Sequence, residues 1–314
     1  MNAKAVMRSP WFAPLVALLL CYALFSGLAP ETFPGATNLW TMARQTVVVA
    51  IAAVGMTYVI LLGGIDLSVG SGVAITTVVV AALLREGVGP AGAVAAGMLL
   101  PALVGAATRG LVARLSITPF IVTLGTMSLL RGAAKGLADE QKIDADPRGL
   151  ETLMSAPLPG EFRLPPGVAI AVLVATLAAI ALRYSVFGRH VTAIGSNEQT
   201  ARLCGVPVSR VKIAVYALSG LLAGLAGIME YATLTVGDPT DSIGLELEVI
   251  AAVVIGGGSL SGGQGSIVGA LIGALLMTVI KTGCTHIGLP NWVQEILTGA
   301  IIVVAVALDR VRKR

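Results

Sequence analysis

Charge is scarce in this sequence. Asp, Glu, Lys and Arg make up only 12% of its 314 residues, roughly half the share of an ordinary soluble domain. A chain so thinly charged cannot dress a water-facing surface, which excludes an ordinary soluble globule. Cysteine and histidine are rarer still. Cys21, Cys204 and Cys284 stand far apart and match no metal-binding or redox spacing, so they read as small apolar residues. The two histidines, His190 and His286, both lie near loops. Groups so scattered do not assemble the nucleophile, base or metal ligands that a membrane enzyme needs. Paired carboxylates inside apolar segments are also missing, which argues against the proton relay of an ion-driven carrier.

Apolar residues fill the space that charge leaves. They account for 56% of the chain, with a mean hydropathy of +0.89 and 38 glycines among the other residues. Small residues let helices approach closely in lipid, where no hydrophobic force drives helix against helix. With about 17–25 residues per span, and shorter glycine-broken pieces admitted, the sequence predicts an all-α polytopic membrane protein of about ten transmembrane helices. They fall near 11–28, 39–63, 67–84, 91–112, 117–138, 166–183, 212–235, 247–259, 265–284 and 291–308. The first run, Trp11 to Leu28, follows Lys4 and Arg8. It exceeds a signal h-region of about 7–15 residues and no A-x-A site follows it, so it is read as a retained helix.

With the N-terminus in the cytoplasm, 13 of the 21 basic residues fall on the inner side. They are Lys4, Arg8, Arg109, Arg114, Arg183, Arg189, Arg202, Arg210, Lys212, Arg310, Arg312, Lys313 and Arg314. That excess follows the positive-inside rule, and an even helix count then keeps both termini cytoplasmic. The net charge of +4 reflects these basic loops and not contact with nucleic acid. Two loops are long. Residues 139–167 are rich in acids, Pro and Gly and are expected to fold over the outer, periplasmic surface. Residues 183–212 are basic, lie inside and have partly helical character.

Between two apolar runs lies GGGSLSGGQGS, Gly256 to Ser266. Its core, Leu260 to Gln264, spells the signature of ABC ATPases. That signature works only with a P-loop, G-x-x-x-x-G-K-[ST], and the sequence contains none. The stretch therefore reads as a helix break around Ser259 and Ser261, with a chance identity. Gly265, Gly269 and Gly273 follow at four-residue spacing and form a face for close helix packing; Gly220, Gly224 and Gly227 form another. An earlier break, GGIDLSVGS, runs from Gly63 to Ser71. The two breaks with their flanks look like a weak internal repeat, and in transporters such broken helices border the pathway. Asp66 and Ser68 sit where the next helix starts. Helix capping is the simpler role for Asp66 and substrate contact the sharper one. Arg131, Lys135, Glu230 and Lys281 lie near outer helix ends, where snorkelling accounts for them. In the inner loop, SNEQTARLCGVPVSRVK begins a short helical pattern at Asn197 and Glu198, with Ala201 and Gly205 at four-residue spacing and Pro207 ending it. Such a helix suits either the membrane surface or a groove on a partner protein.

Three stretches, GMTYVILLGGIDLSVGS, SRVKIAVYALSGLLAGLAGI and IAAVVIGGGSLSGGQGSIVGALIGALL, taken together and in order, resemble the permease subunit of ribose/xylose-type ABC sugar importers. The resemblance runs from about Leu39 to the C-terminus, the long outer loop excepted. It implies one permease domain over residues 1–314 in the bacterial inner membrane, surrounded by lipid and paired with a second permease copy as a homodimer or heterodimer. It implies a cytoplasmic ABC ATPase that binds ATP and Mg, and a periplasmic sugar-binding protein. The chain itself would hold no cofactor or metal and catalyse no bond chemistry.

By the same resemblance Asn197, Glu198, Ala201 and Gly205 fall in an ATPase-coupling helix, with Glu198, Ala201 and Gly205 expected to pack into the ATPase cleft. Gly63, Gly64, Asp66, Ser68, Ser259 and Ser261 fall at helix breaks that shape the translocation pathway. Family members often carry a basic residue where this chain has Gln264, so one substitution creates the ATPase signature. Residues 138–162 depart from the better-known sugar permeases, which leaves the sugar open. The expected function is inward passage of a monosaccharide such as ribose or xylose. A permease for a nucleoside or a branched-chain amino acid, and an ion-coupled carrier, are the alternatives.

Overall fold

The computed structural model describes residues 11–115, 119–155 and 164–312. Among them the chain forms twelve α-helices. They are α1 (Phe12–Leu28), α2 (Ala36–Leu61), α3 (Val69–Arg85), α4 (Pro90–Leu115), α5 (Pro119–Leu137), α6 (Pro166–Tyr184), α7 (Val186–Ser196), α8 (Glu198–Leu203), α9 (Val208–Leu234), α10 (Leu245–Ile255), α11 (Ile267–His286) and α12 (Asn291–Arg312). Every predicted apolar segment overlaps one of these helices. Five of them, α2, α4, α6, α9 and α11, are long and apolar enough to cross a membrane. The apolar helices α1 and α3, and α12 over Asn291–Ala307, are shorter.

Three details differ from the sequence reading. The segment expected at 247–259 stops being helical at Ile255, because Gly256 to Gly258 turn the chain and Gly257 has φ +90°. At 11 residues, α10 is about 16 Å long and cannot cross a hydrocarbon core of about 30 Å alone. The basic loop 183–212 contains two distinct helices, α7 and α8. The fold is also not purely helical. Residues 143–144 (β1) and 236–237 (β2) pair antiparallel, Ile143 opposite Gly237 and Asp144 opposite Val236. This ladder exists because the long loop folds back over the bundle. Lys142 pairs with Asp238 at 3.0 Å, and the Arg148 guanidinium donates to the Gly87 and Val88 carbonyls.

The central helix is α9, which packs along α4, α2 and α3. Glycines set the spacing. A Cβ at Gly220 would overlap the Pro101 carbonyl, one at Gly224 would meet the Met98 backbone at 2.7 Å, and one at Gly227 would meet Thr76 at 2.6 Å. Close backbone approach replaces the hydrophobic force that lipid cannot supply. Pro101 lies inside α4 and has no N–H to give the Gly97 carbonyl one turn earlier. The Thr76 hydroxyl of α3 donates to that carbonyl instead, at 2.9 Å. A backbone acceptor stranded inside the bundle is thereby satisfied by a neighbouring helix. On the other side of the bundle α1 packs against α11, its Phe25 ring seated on Gly283.

Leucine at Gly224 would force α4 away from α9, an overpacking cost of about 1–3 kcal/mol. Gly224→Leu is expected to lower the melting temperature of the detergent-extracted protein. Gly132→Leu on α5, where a Cβ meets nothing within 4 Å, is the control and should melt near wild type.

Candidate functional site

Two of the longest helices carry a polar stripe at one end. On α2, Asn38, Thr41 and Gln45 recur at helical spacing with Arg44 alongside; on α11, Thr278, Lys281, Thr282 and Thr285 do the same. The stripes face one another. Thr282 donates to Gln45 Oε1 at 3.1 Å, and Thr46 donates to Thr278 at 3.0 Å. Beside them lies a cavity of about 790 Å³, walled also by Glu230 and Thr233 of α9, Asp241 to Ile243, Leu245 and Glu248, and Gln294 of α12. That volume lies within the usual range for small-molecule sites, about 300–1,000 Å³. Lys281 Nζ donates to Glu248 Oε1 at 2.6 Å. His286 bridges Thr32 and Asn38, with its ring edge-on to Phe33. Arg131 donates to the carbonyls of Pro239 and Asp241 at 2.9 and 2.6 Å, which braces the rim.

Snorkelling therefore does not describe Glu230, Lys281 or Arg131. The first two line the cavity and the third holds its edge. The sequence did carry a signal, namely polar residues repeating on one face of an otherwise apolar helix. Taken one at a time, Glu230, Lys281 and Arg131 read as helix-end charges.

The two glycine-rich breaks meet at the opposite end of the bundle. The Gly263 N–H donates to the Leu61 carbonyl at 2.9 Å. Gly195, in the last turn of α7, is wedged against both, and a Cβ there would overlap the Leu61 carbonyl. Gly262 and Gly263 have φ +85° and +75°, a left-handed conformation that glycine adopts without strain. The ATPase-like stretch closes on itself. The Ser259 N–H donates to the Gln264 carbonyl, and the Gly262 N–H to the Ser259 carbonyl, both at 2.9 Å. Ser259 is buried, while Ser261 and the Gln264 side chain are exposed. Gly265 packs beside Leu61, and Gly269 and Gly273 lie directly on the Gly256 and Ala252 carbonyls at and near the end of α10.

Gly63 has φ +74° and follows the end of α2. Gly64 sits under the Tyr216 hydroxyl, where a Cβ would come within 2.6 Å. Asp66 is buried and fully engaged. Its Oδ1 accepts from the Ser68 N–H at 3.0 Å and from the Ser68 hydroxyl at 2.6 Å. Its Oδ2 accepts from Ser219 of α9 at 3.0 Å. Ser68 itself occupies the α3 N-cap position without a side-chain cap bond. Asp66 thus fastens the break to α9, and it lies apart from the cavity.

Beyond the junction, α7 runs into α8. Asn197 caps α8, its side-chain oxygen accepting from the Thr200 N–H at 2.9 Å. Glu198 is held by Lys212 of α9 at 2.5 Å and by Arg202 at 3.1 Å. The Lys212 hydrogen bond, with Arg202 assisting, keeps the Glu198 carboxyl below its ordinary value. Ala201, expected to pack into a partner's cleft, is instead buried against its own chain, because it lies on the inward face of α8. Gly205, φ +81°, turns the chain beyond the helix. Leu203 projects outward, 88% exposed. Among the described residues no cluster of three or more His, Cys, Asp or Glu could hold a metal ion.

Apolar helices around a solute-sized polar cavity define a multi-pass integral membrane protein of the permease type. The family model described as branched-chain amino acid transport system / permease component matches residues 38–306, and the chain belongs to that family. Over 301 residues it is 42% identical to the ribose import permease protein RbsC of Escherichia coli (strain K12), covering 94% of this chain and 92% of that protein. It is 37% identical over 300 residues to RbsC of Bacillus subtilis (strain 168), covering 95% and 92%. It is 36% identical over 309 residues to the fructose import permease protein FrcC of Rhizobium meliloti, covering 96% and 86%. No solved structure matches the chain.

Gln264→Arg is expected to leave the melting temperature unchanged, since only the backbone carbonyl of Gln264 serves the turn; a collapse would show that its side chain is buried against something. A second expectation concerns pH. A carboxylate with a depressed folded-state pKa contributes stability above its unfolded value and loses it as pH falls through the folded value. Amide protection factors in residues 197–205, taken against the intrinsic exchange rate at each pH, should therefore fall as acid protonates Glu198. In Glu198→Gln this acid-dependent step should be missing.

Proposed function

We propose that this chain is the membrane permease subunit of an ABC importer that carries a monosaccharide, such as ribose, xylose or a related sugar, inward across the bacterial inner membrane. The observation that carries the reading is the cavity of amides, hydroxyls and a few charges, in a chain so similar along its length to a ribose import permease. A sugar presents hydroxyls all round its ring, and such a lining can exchange water for protein at each of them. A branched-chain amino acid wants apolar side chains around it, and here those on the lining are Val48, Val49, Ile243 and Leu245 among a majority of polar residues.

The chain crosses the membrane ten times, α10 making its crossing together with the glycine-rich turn that follows it, with both termini and the basic α7–α8 region in the cytoplasm. The cavity then opens on the periplasmic side, where the loop from 139 onward meets the sugar-binding protein. ATP and Mg bind a separate cytoplasmic ATPase, which docks on α8. Asn197, Glu198, Ala201 and Gly205 serve this contact as cap, tether, buried anchor and turn, so that Gln199, Arg202 and Leu203 face the partner. Gly63, Gly64, Asp66, Ser68, Ser259 and Ser261 lie at the breaks that pass movement of α8 to α2 and α11, whose far ends line the cavity. Small shifts between packed elements suffice for such a switch. A second permease copy, identical or not, completes the membrane unit, with lipid around it.

The test is uptake of radiolabelled D-ribose by proteoliposomes that contain this chain, its ATPase and its binding protein. ATP-dependent uptake is expected, and Gly205→Arg should abolish it while the variant still inserts and purifies. Uptake that needs an ion gradient and no ATPase would overturn the reading.

A further inference from the structure

Most polar groups around the cavity already have partners. Lys281 is taken by Glu248, Gln45 by Thr282, Asn38 by His286, and the Asp241 carboxylate by Ser242. Two charged residues differ. Glu230 of α9 accepts no hydrogen bond and makes no ion pair among the described residues, although it lines the cavity. Arg44 of α2 lines the same cavity, and its Nε is buried without a hydrogen-bond partner. Ionisable side chains left without hydrogen-bond partners inside an apolar helix bundle are costly and mark sites where something else completes them. The geometry points to Glu230 and Arg44, which line the same cavity, as two groups that recognise the solute, a neutral polyol with hydroxyls on adjacent carbons.

The chemistry fits one class of ligand. The two oxygens of Glu230 can engage two neighbouring hydroxyls through hydrogen bonds. The guanidinium of Arg44 can donate several bonds in one plane to hydroxyl or ring oxygens. A neutral sugar satisfies both groups together and brings no charge into the membrane. A sugar phosphate would set its anion against Glu230, Asp241 and Glu248, with Lys281 already committed. This assignment rests on the transport reading above and adds to it which side chains tell one sugar from another.

The experiment compares uptake of D-ribose and 2-deoxy-D-ribose at saturating sugar, in the complete complex with one and the same binding protein. Because that protein is constant, a change in the ratio of the two rates between variants reports on this chain alone. Glu230→Gln is expected to slow ribose about tenfold or more and deoxyribose distinctly less, so that the ratio shrinks. Glu230→Asp should recover part of the rate, and Arg44→Gln should slow both sugars. Equal loss for both sugars in Glu230→Gln, with no recovery in Glu230→Asp, would mark a structural role and overturn the proposal. Wild-type rates in Glu230→Gln and Arg44→Gln would overturn it too. If Glu230→Gln fails to assemble, Glu230→Asp decides, and an unchanged ratio there is fatal. If the wild-type complex transports no monosaccharide, the transport reading fails and this one with it; if wild type transports and only the variants disappoint, this one fails alone.

Discussion

The hydrogen bond from the Gly263 amide to the Leu61 carbonyl, 2.9 Å long, joins the two places where long helices stop. Around it are packed the end of α2, the turn before α11 and the last turn of α7. Nothing larger than glycine fits at Gly195, where a methyl group would collide with the Leu61 carbonyl. The exposed helix α8 begins within three residues of that contact. The other ends of α2 and α11 carry the polar stripes of the cavity. α2 and α11 thus run from this small knot of backbone, beside the surface helix, to the distant cavity. Packed interfaces of this kind hold discrete arrangements and resist gradual deformation.

Much of the scaffold could be read from the sequence, and the reason is physical. An apolar run of membrane length leaves the backbone little choice but helix, and each apolar segment found in the sequence overlaps one. Glycine at four-residue spacing signals close approach, and Gly269 and Gly273 do lie against backbone carbonyls. The ends of helices were less legible. Gly256 to Gly258 ended α10 four residues early because three successive glycines place no side chain in the way of a turn. The β1–β2 ladder was invisible, since two-residue strands have no periodicity to detect.

The cavity was missed for a different reason. Its wall is assembled from α2, α9, α10, α11 and α12, and no local pattern says which stripes will meet. Glu230 and Lys281 were read one at a time, by distance from a helix end, and that argument is blind to what lies across the gap. The two breaks look alike in the sequence, yet their direct contact follows only from folding. Asp66 shows the same limit: two carboxylate oxygens serve Ser68 and Ser219 at once, and Ser219 is 153 positions away along the chain.

The β1–β2 pair fastens the long loop to the chain just beyond α9, and the residues that follow β2, from Asp238 to Ile243, run straight into the cavity rim. Lys142 and Asp238 close the same seam. The loop and the rim are therefore one mechanical part made from two distant pieces of sequence. Anyone building chimaeras between permeases of this family, to move a preference for one sugar or one binding protein from scaffold to scaffold, would have to graft residues 139–155 and 236–243 as a set. Exchanging either alone would leave an unpaired strand at the mouth of the protein.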